Sequence, residues 1–238
     1  MECGAVRALD GAAPEQAGVL YIDGHVRLYN GRQTQLPRHY VARQRLCLRA
    51  TTDYWVNAMD GQPFFAVNQV VDPGLIQVIE QEIVPRLEQR LPVQADREAL
   101  AADLLRHRFT LVFDREGCSP DFLRRMKQQR IACLTDHKFP GADWSAEAFA
   151  PAQVHLPSGE VVTMDLAERG TCLSNGLWVR ELRKRSERGH QTAILCTDYR
   201  SEVAPWRWPC SLAGRRRISS SMPANTSAWI AWSIIAPR

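Results

Sequence analysis

The sequence predicts a mixed α/β chain in which strands and helices alternate before a run of strands takes over. Three observations carry this. Two short apolar runs, Val19-Leu-Tyr-Ile22 and Phe109-Thr-Leu-Val-Phe113, are β-branched and aromatic, and each is followed at once by an Asp. Between and after them lie two stretches with helical spacing and recognisable starts, at 72–91 and 119–126. Residues 139–202 then read as successive strand pairs around polar turns.

Taken in order, residues 1–17 are rich in Ala, Gly and small polar types and read as a linker or loose start. Val19 to Ile22 form a strand ending at Asp23-Gly24, and Val26 to Tyr29 either continue it or return beside it. Thr52-Asp-Tyr-Trp-Val-Asn57 and Pro63-Phe-Phe-Ala-Val-Asn68 flank Asp60-Gly61 and read as a hairpin. Asp72 suits an N-cap with Pro73 at the first helical position, and Leu75, Ile76, Ile79, Ile83, Leu87 and Leu91 repeat at helical spacing. Pro85 inside that helix predicts a kink or break near Ile83. A more polar helix over Arg97 to Arg106 leads into the Phe109–Phe113 strand. Ser119-Pro120 opens a helix with Phe122, Leu123 and Met126 on one face, and Ile131 to Thr135 is a short buried strand. Hairpins follow with turns at Pro157–Gly159 and Ser186–His190.

Composition bounds the function. Of 238 residues, 45% are hydrophobic, enough for a sizeable core. The net charge of +4 comes from the end of the chain: residues 203–238 hold five Arg and no Asp, Glu or Lys, which leaves 25 basic and 26 acidic side chains before them. Seven scattered Cys form no C-x-x-C pair and match reduced cytosolic thiols rather than a zinc site. The start lacks a signal-peptide pattern, and the run Ala228–Ala236 is too short for a membrane helix. A cytoplasmic protein with no membrane partner is therefore expected.

The candidate functional residues each carry a plainer alternative. Asp23-Gly24 is either a strand-borne carboxylate or a hairpin turn. Asp114 ends a run that is apolar on both faces, as in a central strand, and a helix start follows. Arg32, Arg38, Arg43, Arg45 and Arg49, with His39 and Tyr40 among them, suit a phosphate backbone or simply a solvated face. Cys118 is a small half-buried side chain, since no His is placed to activate it, and each of the six His falls singly.

The order of elements, with Tyr21-Ile-Asp-Gly-His-Val, Thr51-Thr-Asp-Tyr-Trp-Val-Asn, Val112-Phe-Asp-Arg-Glu-Gly and Leu195-Cys-Thr-Asp-Tyr-Arg, resembles the bacterial insertion-sequence transposases of the DDE type. In these a ribonuclease H-like mixed sheet with helices is interrupted by a mostly β insertion between the second Asp and a final Glu. The resemblance runs from Val19 to Ser201 and implies a catalytic core over 18–138 and an insertion over 139–202. It implies that Asp23 and Asp114 are catalytic and hold Mg²⁺ (or Mn²⁺), that Arg38, Arg43, Arg45 and Arg115 contact DNA, and that transposon ends and target DNA are the partners, with a homodimer in the intact family. Two metal ions held by such acids activate a water or a 3′-hydroxyl for in-line attack on a phosphodiester. Glu116, beside Asp114, is not counted as the final Glu.

The sequence departs from that pattern twice. Only about twenty residues precede Asp23, fewer than an end-binding region needs, so recognition of transposon ends is not expected. The Glu-bearing helix due after Tyr199-Arg200 is missing, and residues 206–238 instead hold four of the seven Trp and no acid. Rebuilding codons across residue junctions from Cys210 to Ile235 permits a string resembling that helix, with a Glu arising between Arg216 and Arg217. Within it the junction Met222–Pro223 permits only Ala and Trp229–Ile230 only Asp, both of which fit that string, and Trp208–Pro209, just ahead of it, permits only Ala. Residues 203–238 are therefore expected to be a frameshifted tail without a third carboxylate, leaving a truncated, inactive transposase or a non-catalytic DNA-binding remnant.

Overall fold

A computed structural model describes residues 18–41, 44–58, 61–90, 97–155 and 161–200. They fall into two compact units, 1–104 and 105–238. The expectations for residues 1–17, for the turns at Asp60 and at Pro157–Gly159, and for the tail from 203 onward lie outside the described residues.

The first unit is an antiparallel sheet of β1 (Val19–Leu28), β2 (Arg38–Val41), β3 (Leu46–Asn57) and β4 (Pro63–Gln69). β1 runs along one edge of β3, while β2 and β4 share its other edge, β2 beside residues 46–49 and β4 beside 52–57. The hairpin reading of Asp23-Gly24 is overturned, because β1 continues through both residues and Gly24 pairs with Tyr54. A Cβ on Gly24 would meet the Tyr54 ring at 3.1 Å, so the glycine makes room for an aromatic neighbour rather than a turn.

After the sheet, α1 (Leu75–Val78), a π-turn (Ile79–Ile83) and α2 (Val84–Arg90) form one continuous helix. It buries Leu75, Ile79, Ile83 and Leu87 at the spacing read from the sequence, and Val78 and Val84 besides, while Ile76 is only half-buried and Leu91 lies outside the described residues. Pro85 does not break it. The π-turn widens the helix just ahead of the proline, whose ring would otherwise meet the carbonyl four residues back and which lacks an N–H to give. The start differs from expectation: the helix begins at Leu75 with Gly74 at the cap position (φ +91°), and Asp72 does not cap it. Asp72 accepts instead from the Tyr54 hydroxyl at 2.7 Å, the Thr52 hydroxyl at 3.2 Å and the Gly74 N–H at 2.8 Å, tying the approach to the helix onto β3. α3 (Arg97–Ala102) is shorter than the expected 97–106.

In the second unit β5 (Phe109–Phe113) and β6 (Ile131–Asp136) are parallel and joined by α4 (Pro120–Gln128). Parallel neighbours need such a crossover. Pro120 opens α4 as expected, and its apolar face buries Phe122, Leu123 and Met126, with Phe122 edge-on to Phe113 at 5.6 Å. β7 (Ala150–His155), β8 (Val161–Cys172), β9 (Trp178–Arg185) and β10 (Gln191–Cys196) form an antiparallel run, and β10 pairs with β6. The turn after β9 closes through Ser186 N–H to His190 O and Gly189 N–H to Ser186 O, both 2.8 Å. The described residues thus form a strand-rich mixed sheet architecture with few helices.

Candidate active-site carboxylates

Asp23 belongs to the first unit. It stands opposite Trp55, and the alternation of β1 puts it on one face with His25, Arg27 and Tyr29, while Leu20 and Ile22 are buried on the other. On the face of Asp23 the cross-strand partners are Asp53 for His25 and Thr51 for Arg27. Asp53, only 4% exposed, pairs with Arg27 and accepts from Asn68 of β4. The acid in Thr52-Asp-Tyr is therefore a structural one: its charge is neutralised within the sheet.

Asp114 follows the last residue of β5 in the second unit. Its carboxylate accepts from Glu116 N–H at 3.0 Å and so caps a short 3₁₀ turn, Arg115–Gly117. Its backbone carbonyl accepts from the Thr135 hydroxyl at 2.8 Å. A Cβ on Gly117 would lie 2.4 Å from the Phe113 ring, so the turn can close only over a bare backbone. That explains the Asp-x-x-Gly spacing in physical terms. Burial pushes the Asp114 carboxyl above its ordinary value, against the Glu116 hydrogen bond and the Arg115 charge.

Asp136, which the sequence reading passed over, stands beside it. The register Phe113 with Thr135 brings the ends of β5 and β6 level, so the residue that follows each pair is an Asp. Burial raises the Asp136 carboxyl and the Asp114 charge raises it further, while Arg115 opposes both. Asp136 Oδ1 is buried with no hydrogen-bond partner among the described residues. Two hard carboxylates, one with an orphaned oxygen, suit a divalent cation that takes oxygen ligands. Among the described residues no group of three His, Cys, Asp or Glu side chains could hold a metal ion.

The segment leaving Asp136 is pinned. Glu181, 3% exposed, accepts from Arg183 Nε at 2.8 Å and lies 3.5 Å from His137 Nδ1. Arg183 also donates to Ala142 O at 2.8 Å and to Pro140 O, and its guanidinium covers the Trp144 ring at 4.4 Å. Nothing in a single sequence marks this network, since apart from the Glu181–Arg183 contact it reaches His137, Pro140 and Ala142, over forty positions away.

Of the expected DNA contacts, Arg38, Arg45 and Arg115 are exposed, and Arg43 lies outside the described residues. Arg45 has φ +53° in the turn between β2 and β3. Arg115 alone adjoins a candidate carboxylate.

No helix among the described residues is long and apolar enough to cross a membrane. None of the curated proteins matches the chain. Among solved structures it is similar to a piggyBac transposase in a cryo-EM synaptic complex with hairpin DNA, at 9% identity and a TM-score of 0.45. That match covers 78% of this chain and 34% of the other, so the chain spans about a third of that transposase's length. A family model described as "Transposase protein" matches residues 8–207, most of the sequence. The chain belongs to that transposase family.

Proposed function

We propose that the chain is the core of a DDE-type, ribonuclease H-like transposase that acts on phosphodiesters of DNA. The observation that carries this reading is Asp114 at the end of a strand, raised by burial and facing a second strand-end acid, in a chain of the transposase family. Asp23 and Asp114 would hold Mg²⁺ or Mn²⁺, with Asp136 as a further oxygen donor beside Asp114. When bound, such ions activate an attacking hydroxyl and stabilise the leaving oxygen. The chain's own residues do the rest. The Glu116 N–H orients the Asp114 carboxylate, the Thr135 hydroxyl fixes the backbone beneath it, and Arg115 supplies positive charge next to both acids. Arg38, Arg43, Arg45 and Arg115 contact the DNA backbone, and in the intact family two copies meet on transposon ends.

As this chain the protein performs no strand transfer, because the family's third carboxylate has no counterpart in the sequence after Tyr199-Arg200. A site that is slightly loose loses orders of magnitude in rate. A second reading, a non-catalytic DNA-binding remnant, is favoured by the lack of a three-acid group among the described residues. Incubation with supercoiled plasmid in Mg²⁺ or Mn²⁺ separates the two. Nicking that Asp23→Ala and Asp114→Ala both abolish supports the catalytic core. Duplex binding with no nicking leaves the remnant, and efficient strand joining would show that another residue has taken the place of the Glu.

A further inference from the structure

We propose that Arg38 and Arg49, with Tyr29, form a binding site for a backbone phosphate of duplex DNA, on the same sheet face as Asp23. The proposal rests on the transposase reading only for the identity of the ligand as DNA.

The register sets the arrangement. Arg38 of β2 stands directly opposite Arg49 of β3, and the Arg49 carbonyl accepts from Tyr29 N–H at 2.8 Å on the other side. The three residues therefore form one lateral row across β2, β3 and the end of β1, with side chains on one face. Two arginines opposite each other in an antiparallel pair have Cβ atoms about 4.5–5.5 Å apart and repel. Neither forms an ion pair with a described carboxylate, and both are exposed. Relief within the chain is also far off in sequence, because residues 24–52 hold six Arg and no Asp or Glu, while Asp53 is already committed to Arg27 and Asn68. A pair of like charges held together without a counterion among the described residues is a site built for an anion.

The surroundings shape it. Arg38, Arg49, Tyr29, Asn30 and Gly31 line a concavity of about 310 Å³. The loop after β1 folds over Tyr29: Thr34 N–H donates to the phenol oxygen at 3.1 Å, and the Gly31 backbone packs so closely that a Cβ there would lie 2.4 Å from the ring. Hydrogen bonding by the Thr34 side chain first and its N–H second, with a smaller contribution from the Arg49 charge, lowers the Tyr29 phenol's pKa. Guanidinium groups match phosphate oxygens in a fork, which makes a phosphate the fitting anion. Position favours a phosphate in a polymer. Tyr29, just past the end of β1, is six positions beyond Asp23, roughly 20 Å along the strand direction on one face. With a reacting phosphate at Asp23, the arginine row grips the backbone about six base pairs away.

Cys47 supplies a local probe. It lies two residues before Arg49 on β3, lines the same concavity and is exposed, as is Cys172 far away in sequence on β8. The full chain is titrated in EDTA with a short unnicked duplex and, separately, with inorganic phosphate, while alkylation of Cys47 and Cys172 is followed by mass spectrometry. The expected result is that duplex slows alkylation of Cys47 and not of Cys172. R38A/R49A is expected to weaken duplex binding about tenfold or more and to lower the slope of log K against log salt by about two. Because the substitutions relieve repulsion, the double variant melts no lower than wild type, which guards against reading misfolding as lost binding. Duplex binding with unaltered Cys47 alkylation and an unaltered salt slope in R38A/R49A overturns the site. Protection of Cys47 by inorganic phosphate with no duplex binding keeps the anion site but overturns DNA as its ligand and the transposase reading with it. No protection by either ligand overturns the site outright.

Discussion

Asp114 and Asp136 end adjacent parallel strands at the same level, and each carboxyl is raised above its ordinary value. Burial is the larger cause in both, and for Asp136 the neighbouring Asp114 adds to it. A raised carboxyl binds protons more tightly in the folded chain than in the unfolded one. Its penalty is therefore absent below the unfolded value near 3.8 and complete once pH exceeds the folded value. At neutral pH, in the absence of metal, Asp136→Asn should raise the melting temperature. Mg²⁺ or Mn²⁺ should stabilise wild type, by about 1.4 kcal/mol at ten times its Kd, and leave D114N/D136N unmoved. Equal metal shifts in wild type and the double variant would rule these acids out as ligands.

The Glu181–Arg183 pair should behave in the opposite sense. Burial pushes the Glu181 carboxyl up, but the neighbouring His137 imidazole and the Arg183 guanidinium outweigh it and hold the group below its usual value of 4.5. Its stabilisation is present above that value and is lost as pH falls through the lower folded value. Thermal melts from pH 7 to 3 should show wild type losing more stability below about pH 4.5 than Glu181→Gln does. Arg183→Ala strands a buried acid and frees the Pro140 and Ala142 carbonyls, so denaturant titration should show a loss of about 3–5 kcal/mol. A loss under 1 kcal/mol would mean that the network is not formed in solution.

Gly117 tests the turn that aims Asp114. Its added Cβ would collide with the buried Phe113 ring, which is already packed against Phe122. Gly117→Ala should cost about 1–3 kcal/mol of stability by overpacking. Gly189→Ala in the β9–β10 turn is a useful contrast, since nothing lies near its Cβ and only its φ of +83° resists the change. If Gly117→Ala is neutral in chemical denaturation, the turn is looser than described.

The match to the transposase family ends at residue 207, next to the point where acids vanish from the sequence. The nucleotide sequence should therefore open a longer frame when one base is added near the Pro205 codon, and that frame should encode a helix with a Glu across the Arg216–Arg217 junction. Sequencing the locus decides this directly. A restored frame without such a Glu would leave residues 203–238 needing another origin.

The sequence by itself determined the elements, because strand and helix signals are local. The apolar run before Asp114, the Ser119-Pro120 start and the Leu75–Leu87 spacing all report on neighbours within a few residues. It also marked Asp23 and Asp114 as candidates, through the carboxylate at the end of each run and the resemblance of the surrounding words. It misplaced the helix start at Asp72, since a cap is a competition and Tyr54, eighteen positions earlier, won the carboxylate. Pro85 read as a break, whereas a π-turn over Ile79–Ile83 absorbs it and the helix runs on. Only the tertiary structure decided which charges meet. Asp136 comes level with Asp114 through the α4 crossover, Arg38 comes opposite Arg49 through the β2–β3 register, and Asp53 is neutralised by strands on both sides of it. In each case the physical reason is the same: Coulomb interactions depend on distance in space, and pairing register converts positions far apart in sequence into neighbours within a few ångströms.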